Sequence, residues 1–349
     1  MSVRRWPMVD AMELWGVIGS QVAGMSELAG QVRRWEGAGV TGVFATDHLF
    51  FDMDGSRRTA RRQPDPYILL AAAGAVTERA KLGTIVANAG LQHPALLLRH
   101  FSQLARLFGG ERVYAGLGAG WNREEFEALG LVWQAHGQRM QRLEETMLLG
   151  RQLFDDGYGR LHGAQIVADD LPLSPDPGVP PRLMLGGGSA RALQMAGRYA
   201  DHVDLNSPTQ AGKVSATVGG AVTVVEDNRK RLAATVAGLE DSVSVVAAAA
   251  ADAGRPTPTI SVMLTHVRSC PAGEIEEHER RLCEQYGLEP VPLGQCPFAL
   301  VGPPERMVDL LEERAERLGL ASVILPGSND VEGFATAVFS GEGVTMRRP

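Results

Sequence analysis

Cysteine is scarce in this sequence, and its spacing argues against a disulfide framework or a metal site. Cys270, Cys283 and Cys296 are the only three among 349 residues. They form no C-x-x-C motif, and His266 and His278 nearby do not complete a zinc-binding pattern. We therefore expect three reduced thiols without a bound metal.

Long apolar runs and an excess of positive charge are also missing. No stretch reaches the roughly 20 apolar residues that cross a bilayer, and a formal net charge of -7 offers no basic face for nucleic acid. Arg4 and Arg5 could open an export signal, but Asp10 and Glu13 interrupt the apolar segment that such a signal needs. We expect a cytoplasmic protein whose partner is a small molecule rather than a nucleic acid or a membrane.

The sequence does contain a regular alternation of short β-rich runs with longer amphipathic segments, which is typical of parallel strands covered by helices. We predict an α/β fold of the (β/α)8 TIM-barrel type, forming one domain over residues 1–349. An open doubly wound sheet is the competing arrangement. The eight predicted strands are 13–18, 42–46, 81–87, 112–117, 182–185, 202–205, 259–266 and 322–325.

Helical segments lie between these strands, and several begin at proline and end near glycine, as Pro304 and Gly319 illustrate. Three longer stretches are predicted insertions at the C-terminal face: 49–65, 155–181 and 207–258. We expect the second to be irregular because it is rich in proline, and the third to carry helices over 225–236 and 242–253. The six main predicted helices are 25–37, 66–77, 94–108, 138–154, 190–199 and 304–318.

Two of the predicted strands end in polar side chains. Asp47 and His48 follow the second strand, at the end where barrel enzymes build their active sites. A histidine there can exchange a proton near neutral pH, and a neighbouring carboxylate can orient it. Asn88 ends the third strand, and its carboxamide can hydrogen-bond a heteroaromatic ring. Capping of a loop or strand end is the structural alternative for each.

A glycine-rich segment, residues 116–122, follows the fourth strand. Gly118 and Gly120 would let the backbone approach a flat ligand closely before Asn122 or Arg123 opens a helix. Trp121 could form the wall of a ring site or pack in the core. A dinucleotide fingerprint requires a third glycine where Trp121 stands, which disfavours a nicotinamide site.

A second glycine-rich segment, Gly186, Gly187, Gly188 and Ser189, stands between the fifth strand and a helix. Backbone N–H groups and the dipole at a helix start attract anions. Three successive glycines also lose more backbone entropy than a simple turn requires. We interpret the segment as a phosphate cradle, with a tight turn as the alternative.

A basic cluster lies in the predicted loop after the second strand, although the chain is acidic overall. It consists of Arg57, Arg58, Arg61 and Arg62. Such a cluster can guide an anionic ligand. A solvated loop is the alternative.

The motifs occur in an ordered series along nearly the whole chain. They are TDH at 46–48, LGT at 82–84, HPA at 93–95, FGGER at 108–112, GLGAGWN at 116–122, PRLMLGGG at 181–188, YAD at 199–201 and VGPPE at 301–305. This series resembles the luciferase-like monooxygenase superfamily, and the sequence is most similar to its F420-dependent oxidoreductase branch. The resemblance is far more specific than any single motif.

The resemblance implies a barrel that binds the deazaflavin coenzyme F420 or, alternatively, FMN. It implies that Asp47 and His48 face the cofactor ring, that Asn88 hydrogen-bonds near it, and that residues 186–189 hold its phosphate. A non-prolyl cis peptide is expected between Val86 and Ala87. The expected cofactor contacts are Asp47, His48, Val86, Ala87, Asn88, Gly118, Gly120, Trp121, Asn122, Gly186, Gly187, Gly188 and Ser189.

One departure from the family pattern bears on the reaction. In the glucose-6-phosphate dehydrogenase members an acid follows the Gly-x-Gly pair, whereas Trp121 stands here. We therefore expect F420-dependent reduction of an electron-poor C=C, C=N or C=O bond in a small organic substrate, with His48 transferring a proton and Asp47 orienting it. The alternatives are an FMN-dependent monooxygenase that uses O2 and reduced flavin from a separate reductase, and a non-catalytic barrel. A homodimer is also expected, and the arginine cluster could receive the acidic tail of F420.

Overall fold

Eight parallel strands form a closed barrel in the computed structural model, which describes residues 12–19, 22–51, 61–207, 228–289, 292–327 and 329–339. Each strand pairs with the next, and the last pairs with the first, so the sheet has no free edge. The predicted barrel is confirmed. The strands are β1 (Glu13–Ile18), β2 (Gly42–Ala45), β3 (Lys81–Thr84), β4 (Val113–Gly118), β5 (Arg182–Gly187), β6 (His202–Leu205), β7 (Thr259–Met263) and β8 (Leu320–Pro326).

The third strand differs from its prediction. β3 ends at Thr84, and the chain rejoins the sheet only at Ala87–Asn88, which pairs with the end of β4. A non-prolyl cis peptide joins Ile85 to Val86, so the expected position between Val86 and Ala87 was wrong by one residue. The reason is that Ala87 already belongs to the resumed ladder, and the break falls before it.

The seventh predicted strand also divides in two. β7 ends at Met263, and a separate strand, His266–Ser269, pairs in parallel with Ala299–Gly302 outside the barrel. The change of partner occurs within two residues, because Leu264 N donates to Ile324 O in the barrel whereas Thr265 N donates to Phe298 O. The segment that follows includes the helix Ile275–Tyr286, which the sequence analysis did not predict.

Helices cover the outside of the barrel, and their ends follow local rules. The Asp65 carboxylate accepts hydrogen bonds from Tyr67 N and Ile68 N and so caps a helix that begins at Pro66. Gly319 ends another with φ of 66°. The helices are Met25–Gly37, Pro66–Gly74, Pro94–Phe108, Arg123–Ala128, His136–Asp156, Ala190–Tyr199, Val236–Asp252, Ile275–Tyr286, Pro304–Leu318 and Val331–Phe334, with shorter 3-10 turns at Gly110–Arg112, Ala272–Glu274 and Leu293–Gln295 and a π-helical turn at Ala335–Phe339.

The three predicted insertions have different outcomes. Residues 155–181 were expected to be irregular, but Tyr158–His162 and Val167–Pro172 form an antiparallel hairpin before the proline-rich part begins. In the third insertion, residues 208–227 lie outside the described residues. Of the predicted helix 225–236, residues 228–232 are helical, and the helix Val236–Asp252 covers most of the predicted helix 242–253. In the first, Phe50–Phe51 pairs with Arg61–Arg62, and residues 52–60 lie outside the described part.

Large side chains fill the lower part of the barrel. Trp15 stacks on Phe44 with ring centroids 4.5 Å apart, and Tyr114 and His202 contact the same indole. Met184 and Ile324 belong to this cluster and are fully buried. Because the interior is packed at this level, the space for a ligand lies above it, at the C-terminal ends of the strands. No helix of the described segments has both the length and the apolarity to cross a bilayer.

Candidate functional site

A cavity of about 270 Å³ opens at the C-terminal ends of β2 to β7. Active sites of barrel enzymes lie at this face. All but one of the lining residues stand at or close to a strand end, and the exception, Arg231, lies in the long insertion after β6. The lining residues are Asp47, His48, Ile85, Val86, Ala87, Asn88, Gly118, Ala119, Gly120, Trp121, Gly186, Gly187, Asp204, Asn206, Arg231 and Met263.

Asp47 connects the ends of β2 and β3. Its Oδ2 accepts hydrogen bonds from Asn88 N at 2.9 Å and from the Tyr67 hydroxyl at 3.4 Å. Burial raises the pKa of Asp47, while the Asn88 hydrogen bond and the charge of His48 act in the opposite direction. The carboxylate therefore fixes the backbone that carries the Asn88 side chain into the cavity.

His48 is held by a carboxylate that the sequence analysis did not single out. Glu125 Oε2 lies 3.0 Å from His48 Nδ1, and the Glu125 side chain is fully buried. Glu125 Oε1 also accepts hydrogen bonds from Leu49 N at 2.6 Å and Phe50 N at 3.4 Å. The predicted role of Asp47 as the orienter of His48 is therefore corrected: the partner of the ring nitrogen is Glu125, because the helix Arg123–Ala128 brings that side chain under the loop after β2.

The partner of Nδ1 determines how His48 can work. An ionised carboxylate only accepts hydrogen bonds, so beside ionised Glu125 the Nδ1 atom would carry the proton and Nε2 would be the unprotonated nitrogen of a neutral ring. Trp121 meets the His48 ring edge-on, with centroids 5.3 Å apart. Trp121 thus packs against the imidazole as well as lining the cavity.

Val86 forms an apolar wall that requires glycine on both neighbouring strands. A Cβ added at Gly118 would lie 2.5 Å from Val86 Cγ2, and one at Gly186 would lie 2.9 Å from Val86 Cγ1. Both distances are too short for a real contact. The two glycines and the break in the third strand therefore form one feature: Val86 occupies the space that side chains at 118 and 186 would take.

The Asn88 side chain is fixed by close contacts with Gly90 and Gly120. Its Oδ1 accepts a hydrogen bond from Gly90 N at 2.9 Å, so the carboxamide NH2 is the part that remains to donate to a ligand. Gly120 has φ of 74°, and a Cβ there would lie 2.4 Å from Asn88 Oδ1. Glycine is thus required at position 120 both by the backbone conformation and by the contact.

Three predicted cofactor contacts do not reach the lining of this cavity within the described part of the chain: Asn122, Gly188 and Ser189. Asn122 is buried and donates from Nδ2 to Phe50 O at 3.4 Å. The Ser189 hydroxyl caps the helix Ala190–Tyr199 by accepting from Ala192 N at 3.3 Å. A Cβ at Gly188 would lie 2.3 Å from Ser207 O, so chain packing alone accounts for that glycine.

A second polar group at the cavity, Asp204 with Asn206 and Arg231, was also missed. Asp204 lies one residue before the end of β6, and Arg231 Nε donates to Asn206 Oδ1 at 2.9 Å. An aspartate within the apolar run His-Val-Asp-Leu was the available signal, because an acid in a buried strand is uncommon.

The basic cluster is only partly described. Arg57 and Arg58 lie outside the described residues, and Arg61 and Arg62 form the short strand that pairs with Phe50–Phe51. Arg62 is exposed. Its predicted contact with an acidic ligand stays a prediction.

Comparison with known proteins identifies the family. A model of the luciferase-like monooxygenase family matches residues 5–322. The chain belongs to the luciferase-like monooxygenase family. This confirms the resemblance inferred from the ordered motifs.

The relatives and structural neighbours of this luciferase-like protein include both F420-dependent dehydrogenases and monooxygenases. An F420-dependent glucose-6-phosphate dehydrogenase from Nakamurella multipartita is 31% identical over 179 residues, which cover 51% of each chain. The chain thus spans about half the length of the curated relatives it matches. Among solved structures, an F420-dependent secondary alcohol dehydrogenase in complex with an F420-acetone adduct has a TM-score of 0.68 at 18% identity, covering 96% of this chain and 98% of that one. Monooxygenase RslO1 from Streptomyces bottropensis has a TM-score of 0.66 at 17% identity, with coverage of 95% and 98%.

Proposed function

We propose that this luciferase-like protein is an F420-dependent oxidoreductase that reduces an electron-poor C=C, C=N or C=O bond of a small organic substrate. The observation that carries the proposal is the arrangement of the cavity: the apolar Val86 wall and the Asn88 carboxamide share one cavity with the His48–Glu125 pair. The F420-dependent dehydrogenases among its relatives support the choice of cofactor.

The residues present fit a flat conjugated heterocycle. Val86 and Ile85 offer apolar contact for a ring face, while the glycines of β4 and β5 keep that wall free of other side chains. A cavity of about 270 Å³ suits a fused ring system, so the rest of a cofactor would extend beyond it. When bound, the reduced deazaflavin would supply a hydride to the substrate.

The protein's own contribution would be orientation and proton exchange. The Asn88 NH2 would donate to the ring system, and Asp47 would keep that residue in place through its backbone N–H. His48 would exchange a proton through Nε2, with Glu125 fixing its tautomer. Trp121 and Met263 would restrict the access of water to the cavity.

We propose that residues 186–189 bind the phosphate group of the cofactor through the N-terminus of the helix Ala190–Tyr199. Packing explains the glycines, but the start of the helix Ala190–Tyr199 still has backbone N–H groups near the rim formed by Gly186 and Gly187. An affinity for inorganic phosphate or cofactor that does not change with salt would contradict this role.

Trp121 occupies the position at which the glucose-6-phosphate dehydrogenases of this family have an acidic residue. This difference argues against sugar-phosphate oxidation by their mechanism. An FMN-dependent monooxygenase is the second candidate, supported by the likeness of the fold to RslO1. The two candidates differ in the cofactor that the protein binds, which makes cofactor affinity the deciding measurement.

The test is a fluorescence titration of the protein with F420 and with FMN at fixed salt. We expect micromolar or tighter binding of F420 and much weaker binding of FMN. A His48→Ala variant should bind F420 nearly as well but lose turnover by about 100-fold or more. The reverse preference would favour the monooxygenase, and binding of neither cofactor would overturn the proposal.

A further inference from the structure

Asp204 occupies an unusual position for an acid. It is register-paired with Gly186 of β5 and with Ser261 of β7, and it lines the cavity together with Val86 and Asn88. Only 7% of its surface is exposed. Alternation along β6 turns the neighbouring Val203 and Leu205 into the core outside the barrel, which directs Asp204 inward.

Among the described residues, few groups near Asp204 stabilise its negative charge. Ser261 Oγ donates a hydrogen bond to Asp204 Oδ1 at 2.9 Å. Within the described part of the chain, no other group donates a hydrogen bond to this carboxyl group. Gly186, its register partner on β5, has no side chain, and Arg231 is the charged group that faces it from the insertion after β6. Burial raises the pKa of Asp204, and the net value is about 7 even though the Ser261 hydrogen bond and the Arg231 charge oppose the increase.

Asp204 and His48 line the cavity from strand ends on opposite sides of the barrel, since three strands separate β2 from β6 in either direction. Reduction of a double bond with a reduced deazaflavin involves two protons as well as the hydride. The hydride adds to one atom of the substrate bond, and the electron pair released onto the other atom takes up a proton. Oxidation of a bound deazaflavin would also release a proton from a ring nitrogen, which a side chain of the protein would have to accept. One residue could not serve both positions at once.

We propose that Asp204 is a second catalytic residue, which donates a proton to the substrate from the side of the cavity opposite His48. This inference rests on the proposed function. In this division His48 accepts the proton that leaves the cofactor ring, and Asp204 protonates the substrate atom that receives the electron pair. Asp204 is left as a carboxylate near Arg231 and regains a proton from solvent, while protonated His48 releases the proton it accepted to solvent. The substrate thus gains one hydride and one proton, and the reduced cofactor loses one of each.

The first experiment uses the protein alone. Infrared difference spectra between the wild type and Asp204→Asn, recorded from pH 5 to pH 9, should contain the carbonyl stretch of a protonated carboxylic acid that disappears near neutral pH. Ser261→Ala removes a hydrogen bond to the charged form, so in that variant the band should persist to higher pH. Ser322→Ala is the matched control, because the Ser322 hydroxyl is buried in the adjacent barrel strand and has no hydrogen-bond partner among the described residues. A spectrum without such a band would overturn the inference.

The second experiment follows anaerobic oxidation of reduced F420 by 2-cyclohexen-1-one. We expect Asp204→Asn to slow hydride transfer by about 100-fold or more while changing the F420 dissociation constant by less than about twofold. Ser261→Ala should move the alkaline limb of the pH–rate profile to higher pH, whereas a merely structural role for Asp204 would leave that limb in place. Unchanged rates in Asp204→Asn would refute the inference. Failure of the wild type to bind F420 would refute the proposed function instead, and the infrared titration would still decide whether Asp204 holds an exchangeable proton.

Discussion

Replacing Asp204 by asparagine should remove a pH-dependent destabilisation from the folded protein. Burial raises the pKa of this carboxyl group from 3.8 to about 7. The folded state therefore binds the proton more tightly than the unfolded chain does. Ionisation of Asp204 then lowers the free energy of unfolding as the pH rises from about 4 to about 7, and the loss is constant above that range.

The magnitude follows from the width of this interval. Between pH 5 and a folded-state pKa of about 7, two pH units at about 1.4 kcal/mol each correspond to about 3 kcal/mol. Asparagine has nearly the same shape, and its Oδ1 can still accept the hydrogen bond from Ser261. We therefore expect the stability of the variant relative to the wild type to increase between pH 5 and pH 8, by about 3 kcal/mol at most.

Urea unfolding at pH 5, 6, 7 and 8, followed by circular dichroism, measures this difference without any cofactor or substrate. Asp252→Asn provides a control, because Asp252 is an exposed carboxylate at the end of the helix Val236–Asp252. Its difference from the wild type should stay within about 0.5 kcal/mol over the same range. Parallel stability profiles for the wild type and Asp204→Asn would show that Asp204 does not titrate near neutral pH, and the electrostatic argument would be wrong.

The barrel could be predicted from the sequence because each of its strands is a short apolar run between amphipathic helices. The same periodicity placed Asp47, His48 and Asn88 at the correct end of the sheet, where they line one cavity. Position along the chain was sufficient here, since the C-terminal ends of parallel barrel strands all meet at one face.

The break in the third strand could not be predicted in the same way. Residues 81–87 read Lys-Leu-Gly-Thr-Ile-Val-Ala, a continuous run without proline whose one glycine, Gly83, lies inside β3. Val86 leaves the ladder because of its surroundings: Gly118 and Gly186, on two other strands, provide the space for its side chain. Such a contact between distant segments leaves no local signal, so only the family resemblance pointed to an irregularity in this strand.

The partner of His48 was missed for a related reason. Glu124, Glu125 and Glu127 all lie in one short helix, and the sequence does not determine which of them turns inward. The adjacent Asp47 was the obvious candidate by chain position, but its carboxylate bonds to Asn88 N instead. Neighbours in sequence at a strand end point in different directions, and this explains why the orienting carboxylate came from 77 residues away.

Two further substitutions test the site directly. Glu125→Gln should lower the free energy of unfolding by about 1–3 kcal/mol, because a charged acceptor for buried N–H groups is lost. The same change should move the proton of neutral His48 from Nδ1 to Nε2. Nitrogen NMR that finds the proton still on Nδ1 would contradict the pairing of His48 with Glu125. Gly120→Ala and Gly130→Ala form a matched pair, since φ is 74° at the first and 70° at the second, but only at position 120 does an added Cβ meet another residue, Asn88 Oδ1 at 2.4 Å. In both variants the strained backbone conformation should lower the free energy of unfolding by about 1 kcal/mol. Gly120→Ala should lower it by about 1–3 kcal/mol more. This variant should also bind the cofactor more weakly, because the Asn88 carboxamide must move. Equal losses in the two variants, measured by urea unfolding and by F420 titration, would mean that the Gly120 contact does not hold Asn88 in place.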